Sequence, residues 1–252
     1  MKDKNKKIDT SIKPIKIQHD LTDFKPLKSP FFDKYIIPNH PSRVLYTGKT
    51  SSGKSTTLIN ILQFYKYYFN GGIYIFSPTS DIDPSWKNWI NQNENVEEIQ
   101  IFDNLEIDAL KEILEESKDQ VEKDGLRDSP RRLIIIDDLI DSKNIKNPVM
   151  KTLFYKSRHY NISVWITSQS YMNLPRDLRL QLSNIFIHKP DNSEIKRLSD
   201  EQSNIYIDNK GLNELIKMVC FDKEDKYSFL HINKQDQPNQ WIRKNLNKFF
   251  IL

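Results

Sequence analysis

The eight residues GKTSSGKS, positions 48–55, constrain this chain more than any other stretch. They satisfy the spacing G-x-x-x-x-G-K-[ST], in which a loop wraps its backbone N–H groups around a phosphate. The flanks suit that geometry. Residues 42–47 (SRVLYT) are a short β-prone run, and after the loop Leu58, Ile61, Leu62, Tyr65, Tyr68 and Phe69 recur at helical spacing. Strand, glycine loop, helix is the context the motif requires. Only six glycines occur in the chain, and two stand at the required positions, where the backbone turns tightly with no side chain in the way. Successive N–H groups and the helix N-terminus then face the β-phosphate. The expected nucleotide segment is therefore Gly48, Lys49, Thr50, Ser51, Ser52, Gly53, Lys54, Ser55 and Thr56, with ATP and Mg²⁺ as the cofactors. Lys54 brings an ammonium to the β and γ oxygens, and Ser55 offers a hydroxyl to Mg²⁺.

A second motif supplies carboxylates. Residues 133–138 read LIIIDD: a continuous apolar run, as in a buried parallel strand, followed by two aspartates. Ligands of open α/β sheets lie beyond the carboxyl ends of strands. Asp137 is thus expected beside the loop, holding Mg²⁺ directly or through water, with Asp138 facing the γ-phosphate and polarising the attacking water. A third piece is SVWITSQS, residues 163–170. P-loop ATPases with an additional strand between the loop strand and the acidic strand end that strand in a polar sensor, and Gln169 stands at that point.

Between these motifs, strands and helices alternate. Strands are expected at residues 73–76, 99–103, 131–140, 162–170, 184–189 and 227–233. Helices are expected at 83–92, with Trp86 and Trp89 on one face, and at 107–125, 147–160 and 209–220. This alternation predicts an α/β fold of the P-loop NTPase type, a largely parallel sheet with helices on both faces. Residues 1–40 read as a basic, Pro-containing N-terminal arm and residues 41–252 as the ATPase domain. Residues 1–28 hold eight lysines and four aspartates, the whole of the +4 net charge. That suits a solvated arm or a contact arm for nucleic acid or a partner surface. Cys220 is the only cysteine, so no intrachain disulfide forms and a reducing compartment is expected. No run of 18 apolar residues exists, so no membrane span is expected, nor is a signal peptide. The five histidines lack metal-ligand spacing, and satisfied structural roles are expected for each.

The run LFYKSRHYNISVWITSQSYMNLPRDLR, residues 153–179, resembles the signature of poxvirus-type genome-packaging ATPases of the FtsK–HerA group, found in large DNA viruses and virophages. The matching elements are Arg158-His159, Ile162-Ser163-Val164, Ser168-Gln169, Tyr171, Leu174-Pro175 and Arg179, together with the Asp137-Asp138 pair. Gln181 departs from the asparagine the family often has. The resemblance spans roughly residues 42–245. It implies a double-stranded DNA translocase that packages a viral genome. It implies a homo-oligomeric ring of five or six subunits, capsid or portal-vertex partners, and a place in the host cytoplasm or the virion. ATP would sit at subunit boundaries, and an arginine from the neighbour would stabilise the transferring phosphoryl group; Arg158 and Arg179 are the candidates. Two other readings use the same loop. A nucleotide or nucleoside kinase would need an arginine-rich lid, whereas the only cluster is Arg127, Arg131 and Arg132, ahead of the acidic strand. A non-catalytic DNA-binding virion protein would tolerate loss of Lys54.

Overall fold

Five of the apolar runs become strands with scarcely an exposed side chain: β2 (Arg43–Gly48), β3 (Ile73–Phe76), β5 (Arg132–Ile136), β6 (Ile162–Ser168) and β7 (Asn184–His188). Burial on both faces is what lets them read as unbroken hydrophobic stretches. β4 (Ile99–Phe102) lies at the sheet edge and is partly exposed. These six are mutually parallel. The computed structural model describes residues 15–16, 38–65, 68–93, 99–138, 144–235, 241–246 and 248–250. Most of the arm expected at 1–40 lies outside these residues. Beyond β7 the sheet continues antiparallel through β8 (Leu230–Asn233), β9 (Ile242–Lys244) and β10 (Lys248–Phe250) to β1 (Ile15–Lys16). The order is β1-β10-β9-β8-β7-β2-β6-β5-β3-β4.

One topological fact sets up the site. β6 lies between β2 and β5, the inserted strand expected from the sequence. The register aligns their ends: Thr47 pairs with Ser168, Gly48 with His188 and Ile136 with Ile166. Residues 48–55, 137–138 and 169 therefore emerge from one edge of the sheet.

Helices cover both faces. α1 (Lys54–Leu62) and α2 (Pro84–Gln92) cover one, over a core that includes Tyr46, Tyr65, Trp86, Trp89, Trp165 and Phe186. α3 (Ile107–Asp124), α4 (Pro148–Lys156), α6 (Asn192–Gln202) and α7 (Asn209–Cys220) cover the other, centred on Leu45, Ile134, Ile136 and Ile166. The short α5 (Arg176–Arg179) lies in the connection after β6.

The structure departs from sequence expectation in several places, among them α1, which stops at Leu62, short of the Tyr65, Tyr68 and Phe69 positions included in its helical spacing. The helix expected at 147–160 ends at Lys156 and tightens to a 3₁₀ turn, stopped by Asn161 in the left-handed region at φ 57°. α6 was not expected, because its sequence NSEIKRLSDEQ is too polar for a clear apolar stripe. Its start is nonetheless signalled by an Asp191–Glu194 capping box. The strand expected at 227–233 begins only at Leu230, leaving Tyr227 in a loop.

Candidate nucleotide site

The loop between β2 and α1 is shaped by its backbone. Gly48 and Gly53 have φ of +147° and +99°, values that L-residues with a Cβ rarely adopt. Gly48 is also pressed against β7, and a Cβ there would lie 1.7 Å from the His188 carbonyl oxygen. Gly53 stands at the N-cap of α1 with no side-chain cap. The first N–H groups of the helix are thus left for an anion, which the helix dipole also favours. The buried hydroxyls of Thr47 and Ser52 have no hydrogen-bond partner among the described residues. Free helix N–H groups and orphaned hydroxyls fit a phosphate.

Lys54 is 5% exposed and donates to the Lys49 carbonyl at 3.1 Å. Burial lowers its pKa, and the nearby charges of Asp138 and Asp137 oppose that shift. The three groups form one electrostatic unit across the cleft.

Asp137, at the end of β5, is 3% exposed and hydrogen-bonded on both oxygens. Thr167 Oγ1 donates to Oδ1 at 2.6 Å, with Ser55 Oγ at 3.4 Å from the same atom. Trp86 Nε1 donates to Oδ2 at 2.7 Å, with Ser77 Oγ at 3.4 Å. A hydroxyl and a carboxylate this close suit Mg²⁺, which takes one or two protein oxygens and completes its shell with phosphate and water. Asp138 differs sharply from its neighbour. It is exposed, its φ is +51°, and its N–H donates to Thr167 Oγ1 at 2.9 Å. Desolvation raises its pKa despite the opposing charge of Lys54, and Asp137 raises it further. A carboxyl poised in this way can take or polarise a proton of water.

The structure thus brings Lys54, Ser55, Asp137 and Asp138 together. Gln169 follows Ser168, the register partner of Thr47, and its side chain is exposed at the same edge. The two candidate arginines separate. Arg158 precedes β6 at the opposite end of the strand and is exposed, its side-chain hydrogen bonding among the described residues being a 3.4 Å contact from Nε to His159 Nε2. Arg179 is 7% exposed. It grips Glu201 with Nε and Nη2 at 2.8 and 2.6 Å and donates from Nη1 to the Leu174 carbonyl at 2.6 Å. Tyr171 OH donates to the same carboxylate at 2.8 Å, and the guanidinium lies over the Tyr171 ring. A guanidinium fixed by three such bonds and buried is not free to reach a neighbour. Within its own subunit Arg179 serves as an internal brace, which leaves Arg158 the freer of the two candidates.

Some participants were missed by sequence reasoning. Trp86 was read only as a core residue, since its partner lies 51 positions away. The histidines divide. His40 is held on both nitrogens by Ser163 and Asn161, as expected, and His231 on Nε2 alone by Asn184, its Nδ1 having no partner among the described residues. Neither ring nitrogen of His188 makes a well-formed hydrogen bond among the described residues, although the Ser52 backbone interacts with the ring. It is fully buried under the loop, and desolvation lowers its pKa to about 3. The expectation of a satisfied role fails there, and nothing in its local sequence signals the burial.

The family model for the Poxvirus A32 protein matches residues 29–236. Uncharacterized protein 075L of Invertebrate iridescent virus 6 is 22% identical over 205 residues, covering 79% of this chain and 74% of that protein. Among solved structures, B204, the DNA-packaging ATPase from Sulfolobus turreted icosahedral virus, aligns with a TM-score of 0.57 at 15% identity, over 81% of this chain and 97% of that one. The genome packaging NTPase B204 from Sulfolobus turreted icosahedral virus 2, in complex with ATP-γS, aligns with a TM-score of 0.52 at 16% identity, again over 81% and 97%. These likenesses establish the fold.

Proposed function

This chain belongs to the Poxvirus A32 protein family, and we infer that it is an ATPase whose hydrolysis drives double-stranded DNA during viral genome packaging. The observation that carries this reading is the meeting of Lys54 and Ser55 with Asp137 and Asp138 across one cleft. Lys54 and the loop N–H groups hold the β and γ phosphates. Ser55 and Asp137 hold Mg²⁺, which neutralises charge on the phosphates when bound. Asp138 orients and deprotonates the attacking water, and Gln169 senses the γ-phosphate. The second carboxylate favours water over an acceptor hydroxyl, hence a motor over a kinase.

In the assembled state we place subunits in a ring around DNA, at a capsid or portal vertex. Contacts to DNA are aimed at phosphates, because a translocase must move over any sequence. Arg158, exposed and far from its own loop, is the arginine that completes a neighbour's site. The test is ATP turnover with and without long duplex DNA, alongside the mass of the assembly. Duplex-stimulated hydrolysis by a multimer, with no phosphoryl acceptor, is expected. Lys54→Ala and Arg158→Ala should each lose turnover by about 10³-fold or more, and mixed Lys54→Ala and Arg158→Ala subunits should regain part of it. Turnover that needs an acceptor, or a Lys54→Ala protein that still packages DNA, overturns the reading.

A further inference from the structure

β7 ends beneath the phosphate loop, at His188. Its register partner is Gly48, where a Cβ would meet both the His188 carbonyl and, at 2.8 Å, the His188 Cβ. Gly53 lies between two rings: a Cβ on it would sit 3.6 Å from Tyr227 Cδ1 and 3.9 Å from His188 Nδ1. The imidazole is fully buried, and the Phe229 ring packs against it at 4.9 Å between centroids. Neither of its nitrogens makes a well-formed hydrogen bond among the described residues. A buried polar group in that state costs free energy that an apolar side chain of similar shape would not, so its presence calls for a role.

Burial holds the ring neutral, the Ser52 backbone favours its charged form, and the Lys54 ammonium works against that form. A backbone group that favours imidazolium is a carbonyl facing a ring N–H, so the ring points a donor at the Ser52 carbonyl. The only cis peptide among the described residues is His40–Pro41, so the peptide from Ser52 to Gly53 is trans. In a trans peptide the C=O and the N–H point in opposite directions. With the Ser52 oxygen directed down at His188, the Gly53 N–H is directed up, out of the floor. The groups around it are already engaged. The Ser52 N–H donates to the Lys49 carbonyl at 3.2 Å, and the Gly53 carbonyl accepts from the Thr57 N–H at 2.9 Å. The Gly53 N–H has no acceptor among the described residues.

We propose that His188 is a positioning residue for the phosphate loop: its ring N–H holds the Ser52 carbonyl from below and so keeps the Gly53 N–H turned toward a bound phosphate. The proposal rests on the reading of residues 48–55 as a phosphate site. Gly53, at φ +99°, is the joint at which the loop can turn over, since glycine moves between backbone regions at little cost. A reversed peptide would present the Ser52 oxygen to the phosphate and exchange a donor for a repelling acceptor. Phe229 backs the ring from its other side. Neutrality suits the role, because the ring then donates without placing a second cation beside Lys54.

The test is calorimetric titration of the full chain with inorganic tripolyphosphate. His188→Leu keeps a side chain of similar volume against Phe229 and removes the donor. Tripolyphosphate should then bind about tenfold more weakly, as loss of one hydrogen bond to a charged group does. His188→Asn, whose amide nitrogen can stand where Nδ1 does, should recover most of that loss although it fills the space less well. Packing alone would rank the two variants the other way. If His188→Leu binds as the parent does, or His188→Asn is as weak as His188→Leu, the positioning role is overturned while the phosphate site stands. Should His188→Leu not fold, nitrogen-15 NMR of the parent carries the test. The ring proton is expected on Nδ1, and the Gly53 amide resonance should move downfield as tripolyphosphate is added. A proton on Nε2, or a Gly53 amide that does not respond, overturns the proposal equally. If the parent chain does not bind tripolyphosphate, the phosphate reading falls and this proposal with it.

Discussion

The two sides of the cleft are built by opposite means. The carboxylate side is knit by side-chain hydrogen bonds: Asp137 is held by Thr167 and Trp86, and behind it the loop after β6 is braced by Arg179, Glu201 and Tyr171. The phosphate side takes its shape from backbone conformation at Gly48 and Gly53 and carries Thr47 and Ser52 hydroxyls that have no partner among the described residues. The difference teaches which side arrives complete. Satisfied buried networks are rigid, and buried polar atoms without partners are costly. The carboxylate wall is therefore held by its own side chains, whereas the phosphate loop keeps buried polar atoms available to a ligand.

The strongest way to break this contrast is to cut the brace. Arg179→Ala leaves the Glu201 carboxylate with only the Tyr171 hydroxyl and a 4.0 Å approach from Arg197, and both side chains of the Arg179–Glu201 pair are under 10% exposed. Loss of one member of such a pair costs about 3–5 kcal/mol. Denaturant unfolding should show that loss, and a change under about 0.5 kcal/mol, typical of a surface cation, would return Arg179 to the list of mobile arginines.

A more local cut removes only the donor to Asp137. Trp86→Phe keeps the ring in the core and deletes the Nε1–Oδ2 bond. Partners that orient metal ligands are worth about 10–100-fold in metal affinity or activity. The Mg²⁺ concentration giving half-maximal ATP turnover should rise by about that factor, with metal-free nucleotide binding little changed. Equal loss of both would make Trp86 a packing residue alone.

The smallest effect sharpens the other side. His188 is buried neutral, its pKa lowered from 6.5 to about 3. The unfolded chain takes up that proton below about pH 6.5 and the folded one does not, so this contribution is present above pH 6.5 and is lost as pH falls. From pH 7 to pH 6 the loss is about 0.7 kcal/mol. His188→Asn should remove that part of the pH dependence of unfolding. If the slope is unchanged, the histidine is not held neutral under the loop.

Both local motifs were readable because each is a contiguous run whose chemistry depends on neighbours in sequence. The spacing of GKTSSGKS puts a tight glycine loop between strand and helix, and LIIIDD puts two acids at the end of a buried strand. The signature of residues 153–179 identified the family, but it did not separate the roles of its two arginines. Arg158 and Arg179 look equivalent as letters. Only the fold puts Glu201 against one and leaves the other exposed.

The sequence by itself determined the order of strand, loop and helix, the carboxylate pair and the α/β class, since periodicity and glycine spacing act over a few residues. The tertiary structure decided what lies within hydrogen-bonding distance across the chain. It placed Trp86 on Asp137, His188 beneath the glycines and Tyr227 beside Gly53. Each of these contacts joins residues from different strands or loops, and no local propensity encodes which strand will lie next to which.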